Sequence, residues 1–185
     1  MTYLTKGLLS RRTEKTLTVS HCGAVYELTD DRASVWEKGR TGSSENMTMS
    51  QYSALRELAE QGLAVKCVDS DAKGIYRLMT NCVICSGKRK PLILWNQNER
   101  QLWKWLAKAG LKLTLAELVC LNEKRIKPTA QLLGEPNRQA LTEAIYTTET
   151  ISDGILESRM ETSPERDSTV QSVMSLLRKN LVFLI

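Results

Sequence analysis

Two helix-opening signals, Thr48-Met49-Ser50-Gln51 and Thr114-Leu115-Ala116-Glu117, constrain this chain more than any other feature. In such a capping box the threonine hydroxyl accepts from the backbone N–H three residues on, while the Gln or Glu side chain reaches back, so each pins the start of a helix. The two boxes stand 66 residues apart, and similar punctuation precedes each of them. Residues 16–28, TLTVSHCGAVYEL, are two β-prone runs about a Cys22-Gly23 turn, and CVIC and LILW flank the turn SGKRKP. Thr29 and Asp30 offer N-cap chemistry to a helix that turns Val35 and Trp36 inward; Asn96 does so for a helix carrying Leu102, Trp103, Trp105 and Leu106. An offset of 67 superposes Leu28 on Trp95, Val35 on Leu102 and Trp36 on Trp103. Hairpin, helix and capped helix are thus written twice, which predicts a duplicated module.

In the first copy Tyr52, Leu55 and Leu58 line one side of the capped helix, and Gly62 ends it. LAVKCV and GIYRLM then read as two strands joined by the polar turn DSDAK, the wing of a winged helix. The second copy continues into a longer tail. LLGEPNRQALTEAIY predicts a helix with Pro136 in its first turn and Leu141 and Ile145 buried; TISDGIL predicts a second. Ser163-Pro164 opens a third, in which Val170, Val173, Met174 and Leu177 recur at helical spacing, and LVFLI reads as a buried strand. The expected fold class is α+β, with tandem winged-helix-like modules of hairpin plus helices over residues 1–80 and 81–185. The second ends in a helix-rich, helix-turn-helix-like segment, 132–185.

A chain of 185 residues with 42% apolar content buries a core without disulfide staples. No apolar run approaches the roughly 18 to 20 residues needed to span a bilayer, and the first residues lack the apolar block of a signal peptide, so the expected address is the cytoplasm with no membrane span. Five cysteines, scattered and odd in number, argue against a disulfide framework. Cys82-Val-Ile-Cys85 has half the spacing of a zinc site, with His21 and Cys22 as conceivable partners, but a second pair is missing and the run reads as a strand with thiols as small apolar side chains. There is no glycine-rich phosphate loop, no HExxH and no GxSxG. Asp30-Asp31 sits at a helix start, where dipole complementarity explains it. The reading is therefore a binding protein and not an enzyme, with no catalytic residue, cofactor or metal.

Charge is unevenly placed. Residues 1–85 carry 11 basic and 10 acidic side chains, net +1; residues 86–131 carry 10 and 3, net +7; residues 132–185 carry 5 and 8, net −3. In the middle segment Arg100, Lys104 and Lys108 recur at i, i+4 and i+8, a basic stripe that with Lys88, Arg89 and Lys90 suits a phosphate backbone. On the helix from Pro164, the face opposite the apolar stripe holds Glu165, Ser168, Ser172, Ser175 and Lys179, flanked by Gln171 and Arg178. Small hydroxyls permit close approach to a groove, and Gln and Arg read base edges.

Arg166-Asp-Ser-Thr-Val-Gln-Ser-Val-Met-Ser-Leu-Leu-Arg-Lys-Asn-Leu181, with its polar start, apolar centre and closing Leu-Arg-Lys-x-Leu, resembles the recognition helix of winged-helix regulators related to the OmpR and ToxR families. LLGEPNRQALTEAIY and TISDGILESRM resemble the preceding two helices of that unit. The resemblance implies a DNA-binding transcriptional regulator that contacts double-stranded DNA through Arg166, Ser168, Gln171, Ser172, Ser175, Arg178 and Lys179. The opening unit, residues 16–79, with the phrase AVYELTDDRASVW, resembles instead the small PqqD-like domains. That resemblance implies an adaptor that captures a peptide or protein partner by strand addition. The same elements would serve self-association into a homodimer. Both functional readings stand at this point.

Overall fold

In the computed structural model, residues 1–43, 46–87, 94, 96–108, 112–134, 138–148 and 152–185 are described. The chain opens with β1 (Thr2–Thr5) and β2 (Leu8–Arg12), then makes the expected hairpin from β3 (Thr16–His21) and β4 (Ala24–Thr29). Cys22 and Gly23 both take positive φ, 47° and 83°, which gives a two-residue turn the twist that paired strands require. These strands form an antiparallel sheet in the order β2-β3-β4. Next, α1 (Asp30–Gly39) buries Val35 and Trp36; Thr29 holds its N-cap position but makes no side-chain cap bond, which leaves Asp30 and Asp31 to complement the dipole.

The first capping box forms as written. Thr48 Oγ1 accepts from the Gln51 N–H at 3.3 Å and Gln51 Oε1 accepts from the Thr48 N–H at 3.1 Å, opening α2 (Met49–Glu60). Its buried arc is Ala54, Leu55 and Leu58; Tyr52 falls beside that arc and is 46% exposed, contrary to expectation. Gly62, at φ 74°, ends the helix, with its N–H on the Ala59 carbonyl and the Leu63 N–H on that of Leu58.

The wing does not form. β5 (Ala64–Cys67) pairs antiparallel with β1, and Gly74–Met79, expected as a strand, lies inside α3 (Ala72–Thr80). Asp71 Oδ1 accepts from the Gly74 N–H at 2.7 Å, so the polar turn is a helix cap and not a wing tip. Tyr76 and Met79, at i and i+3, then point inward together with Leu78.

Beyond it come β6 (Val83–Ser86), α4 (Gln97–Lys108), β7 (Leu113–Thr114), α5 (Leu115–Glu123), α6 (Ala130–Gly134), α7 (Gln139–Ile145), α8 (Asp153–Glu161), α9 (Arg166–Arg178) and β8 (Val182–Leu184). CVIC supplies β6. Of its expected partner LILW all but Leu94 lie outside the described residues, as does Pro136, and the strands that flank β6 are β7 and β8. Asn96 Oδ1 accepts from the Asn98 and Glu99 N–H groups at 2.8 and 3.3 Å, starting α4. The second capping box mirrors the first, Glu117 N–H to Thr114 Oγ1 at 3.2 Å and Thr114 N–H to Glu117 Oε2 at 2.7 Å. Trp36 and Trp105 are fully buried but Trp103 only half, so the proposed Trp36/Trp103 match does not hold for burial.

The architecture is α+β. Its apolar side chains form two clusters, one gathering Tyr3, Val19, Leu28, Trp36, Leu55 and Leu58 from the opening strands and helices, the other running from α3 to β8. Although α3 falls within residues 1–80, it packs into the second cluster, with Leu4 of β1 reaching across to it. No helix among the described residues is long and apolar enough to cross a membrane.

Candidate functional site

The helix expected to read DNA is largely a core element. Seven of the thirteen residues of α9 are buried, against α3, α4 and α5. Ser172, placed on the groove-facing side by its spacing, is 4% exposed and donates its hydroxyl to the Ser168 carbonyl at 2.8 Å. A serine satisfied by the carbonyl four residues back can enter a core, so Ser172 offers nothing to a ligand. Ser168 is half-buried and bonds within its own turn, to the Glu165 carbonyl and carboxylate at 3.1 and 3.0 Å. Half-buried Arg166 donates to the Glu161 carbonyl at 2.6 Å and to Asp167 at 2.7 Å. Lys179 places Nζ 2.5 Å from Glu99 Oε2. Burial alone would raise the Glu99 pKa, but the bonds from Lys179 and Ser175 outweigh it and hold the carboxylate below its ordinary range. Gln171 and Arg178 remain as exposed side chains, and Ser175 is half-covered.

On α4 the expected division of faces holds. Leu102, Trp105 and Leu106 are fully buried, while Arg100 and Lys104 are exposed. Lys108 ends the helix, but its side chain lies outside the described residues, as do Lys88, Arg89 and Lys90. Arg100 and Lys104 border a surface groove of about 390 Å³ together with Gln97, Gln101, Lys127 and Pro128. Lys127 was missed because it lies beyond α5, and only the basic run Lys124-Arg125-Ile126-Lys127 hinted at it.

The third feature is an edge. Strand β4 pairs with β3 through six consecutive residues from Ala24 to Thr29, and among the described residues β3 is its one strand partner. A two-residue turn makes His21 and Ala24 the closing hydrogen-bonded pair, so Val19/Tyr26 and Leu17/Leu28 also exchange bonds, while Val25 and Glu27 direct their N–H and C=O groups outward. Leu28 is buried and Tyr26 half-buried on one face; Val25 is 66% exposed on the other. Where β4 ends, a cleft of about 690 Å³ between the β2–β3 turn and α1 carries both signs of charge, from Lys15, Lys38, Glu14 and Asp30 among others.

No family model, curated protein or solved structure matches this chain.

Burial pushes the Cys82 thiol up to about 11 and raises Cys85 and Cys120 as well, which keeps them protonated. His21, 8% exposed with Nε2 3.5 Å from Cys22 Sγ, has its pKa lowered by burial and by Lys6. Among the described residues no three or more potential metal ligands converge.

Proposed function

We propose that this is a binding protein whose first unit captures an extended peptide segment by adding it as a fourth strand beside β4. The observation that carries the reading is the regularity of that edge. Six unbroken pairs with no bulge and no Lys, Arg or Pro leave the outward groups of Val25 and Glu27 in a straight row, the form of edge that invites another strand. Main-chain bonds supply affinity in this mode and alternate side chains supply selectivity. A guest strand would set its side chains alternately beside Tyr26 and beside Val25, so an alternating apolar segment fits, with a charged residue near the cleft where β4 ends. The likeness of residues 16–79 to PqqD-like domains agrees with this reading. Sequence-specific DNA recognition through α9 has less support, because its small-residue face is bonded into the protein.

Proline at position 27 tests the idea, since it removes an outward N–H without taking a bond from the β3/β4 ladder. A random peptide library displayed on phage and panned on the whole chain should enrich alternating apolar sequences, and Glu27→Pro should weaken their binding at least tenfold while circular dichroism stays unchanged. Enriched peptides that bind Glu27→Pro as well as the parent, or a library that enriches nothing, would contradict strand addition.

A further inference from the structure

We infer that the groove beside α4 is a second and separate binding site, for phosphate, and that its occupant is the backbone of a nucleic acid duplex. One wall is α4, where Gln97, Arg100 and Lys104 recur at i, i+3 and i+7 on the side away from Leu102 and Leu106. The other wall is the segment after α5. Gln101 Nε2 donates to the Ile126 carbonyl at 3.0 Å, and this bond, with that of the Ile126 N–H to the Leu121 carbonyl, sets Lys127 and Pro128 across from the α4 cations.

Two of the three acids in the surrounding segment are engaged away from this surface. Residues 86–131 hold ten basic side chains and three acidic ones, Glu99, Glu117 and Glu123. Glu99 is 6% exposed and bound by Lys179 on the α9 side of the helix. Glu117 is spent in its capping box, with its other oxygen 3.1 Å from the Tyr146 hydroxyl. Only Glu123 is left outside such bonds, and among the described residues that line the groove there is no carboxylate. Arg100, Lys104 and Lys127 together give the groove a positive lining.

Shape selects the class of ligand. Arg100 and Lys104 lie about 6 Å apart along the helix axis, a rise of four residues. The groove continues past Pro128 into a second hollow of about 370 Å³ beside Ala130 and Leu133. Cations spaced along an elongated channel suit a rail of successive phosphates better than one isolated anion. Of the two amides that line the groove, Gln97 and Gln101, the second is committed to Ile126. Contact should be independent of sequence, unlike the role first expected of α9.

The test is fluorescence anisotropy of a random-sequence DNA duplex with the full chain across a salt series, with inorganic phosphate titrated in parallel and followed by amide NMR. The parent should bind duplex, and Lys104→Ala and Lys127→Ala should each weaken binding and flatten the plot of log affinity against log salt by about 0.9. Gln101→Ala should weaken it too although no charge is lost, because the Lys127 wall is released. Arg56→Ala, at an exposed position of α2, should match the parent, and so should Glu27→Pro, which separates this site from the peptide edge. No duplex binding by the parent, lysine variants that bind like it, or groove resonances that respond to inorganic phosphate while duplex fails to bind would each overturn the proposal.

Discussion

β2 and β4 flank the same central strand but differ as edges: β2 has its register broken at Ser10 and carries Arg11 and Arg12, whereas β4 runs through six regular pairs with Glu27 as its one charge. Arg12 is held further by both guanidinium nitrogens on Glu37 of α1, at 2.6 and 3.3 Å. Bulges and cationic side chains are the devices by which sheets refuse another strand. What separates the two edges is regularity and charge; one exposed valine, Val25, is ordinary on a protein surface. β4 lacks both of these devices and β2 carries both.

The largest effect that sharpens this contrast concerns the two faces of β4. Leu28 is 1% exposed in the first apolar cluster, so Leu28→Ala should cost about 2 to 5 kcal/mol in chemical denaturation. Val25→Ala should change stability by no more than about 0.5 kcal/mol, because 66% of that residue is already in water. Equal costs at the two positions would mean that β4 is covered on both faces.

A smaller effect lies at the turn that aligns β4. Burial, aided by Lys6, lowers the pKa of His21, whose partner across the ladder is Ala24. The folded chain therefore binds this proton less readily than the unfolded chain does. Stability from this group is complete above the unfolded value of about 6.5 and falls as the pH drops through the window below it. His21→Gln should abolish that part of the slope in thermal unfolding between about pH 5 and pH 7 while leaving the rest. An unchanged slope would place the proton elsewhere.

Much of this was legible in the chain because it rests on short-range chemistry. Both capping boxes, the Cys22-Gly23 turn and the Gly62 stop each need only neighbours within a few residues, and each formed. The failures share a cause. Gly74-Ile75-Tyr76-Arg77-Leu78-Met79 has the composition of a strand, and Asp71 decided otherwise by capping a helix that packs into the second cluster. The residues of β1, Thr2–Thr5, are buried throughout and show no alternation to announce a strand. α9 looked amphipathic with a serine face, but burial of Ser172 depends on α3, α4 and α5 arriving around it, which spacing within one helix does not encode. The basic face of α4 was legible from the i, i+4 spacing of Arg100 and Lys104; Lys127, its opposite wall, was not, because the bonds of Ile126 to Gln101 and Leu121 fold that segment back.

Amide hydrogen exchange along β4, with and without a peptide selected on the whole chain, distinguishes strand addition from binding elsewhere. In the free protein the amides of Tyr26 and Leu28, bonded to β3, should be protected, and those of Val25 and Glu27 should exchange freely. The bound peptide should bring protection to Val25 and Glu27 together, in step with saturation. If the peptide saturates the protein while both amides exchange as before, it binds elsewhere and strand addition at β4 is contradicted.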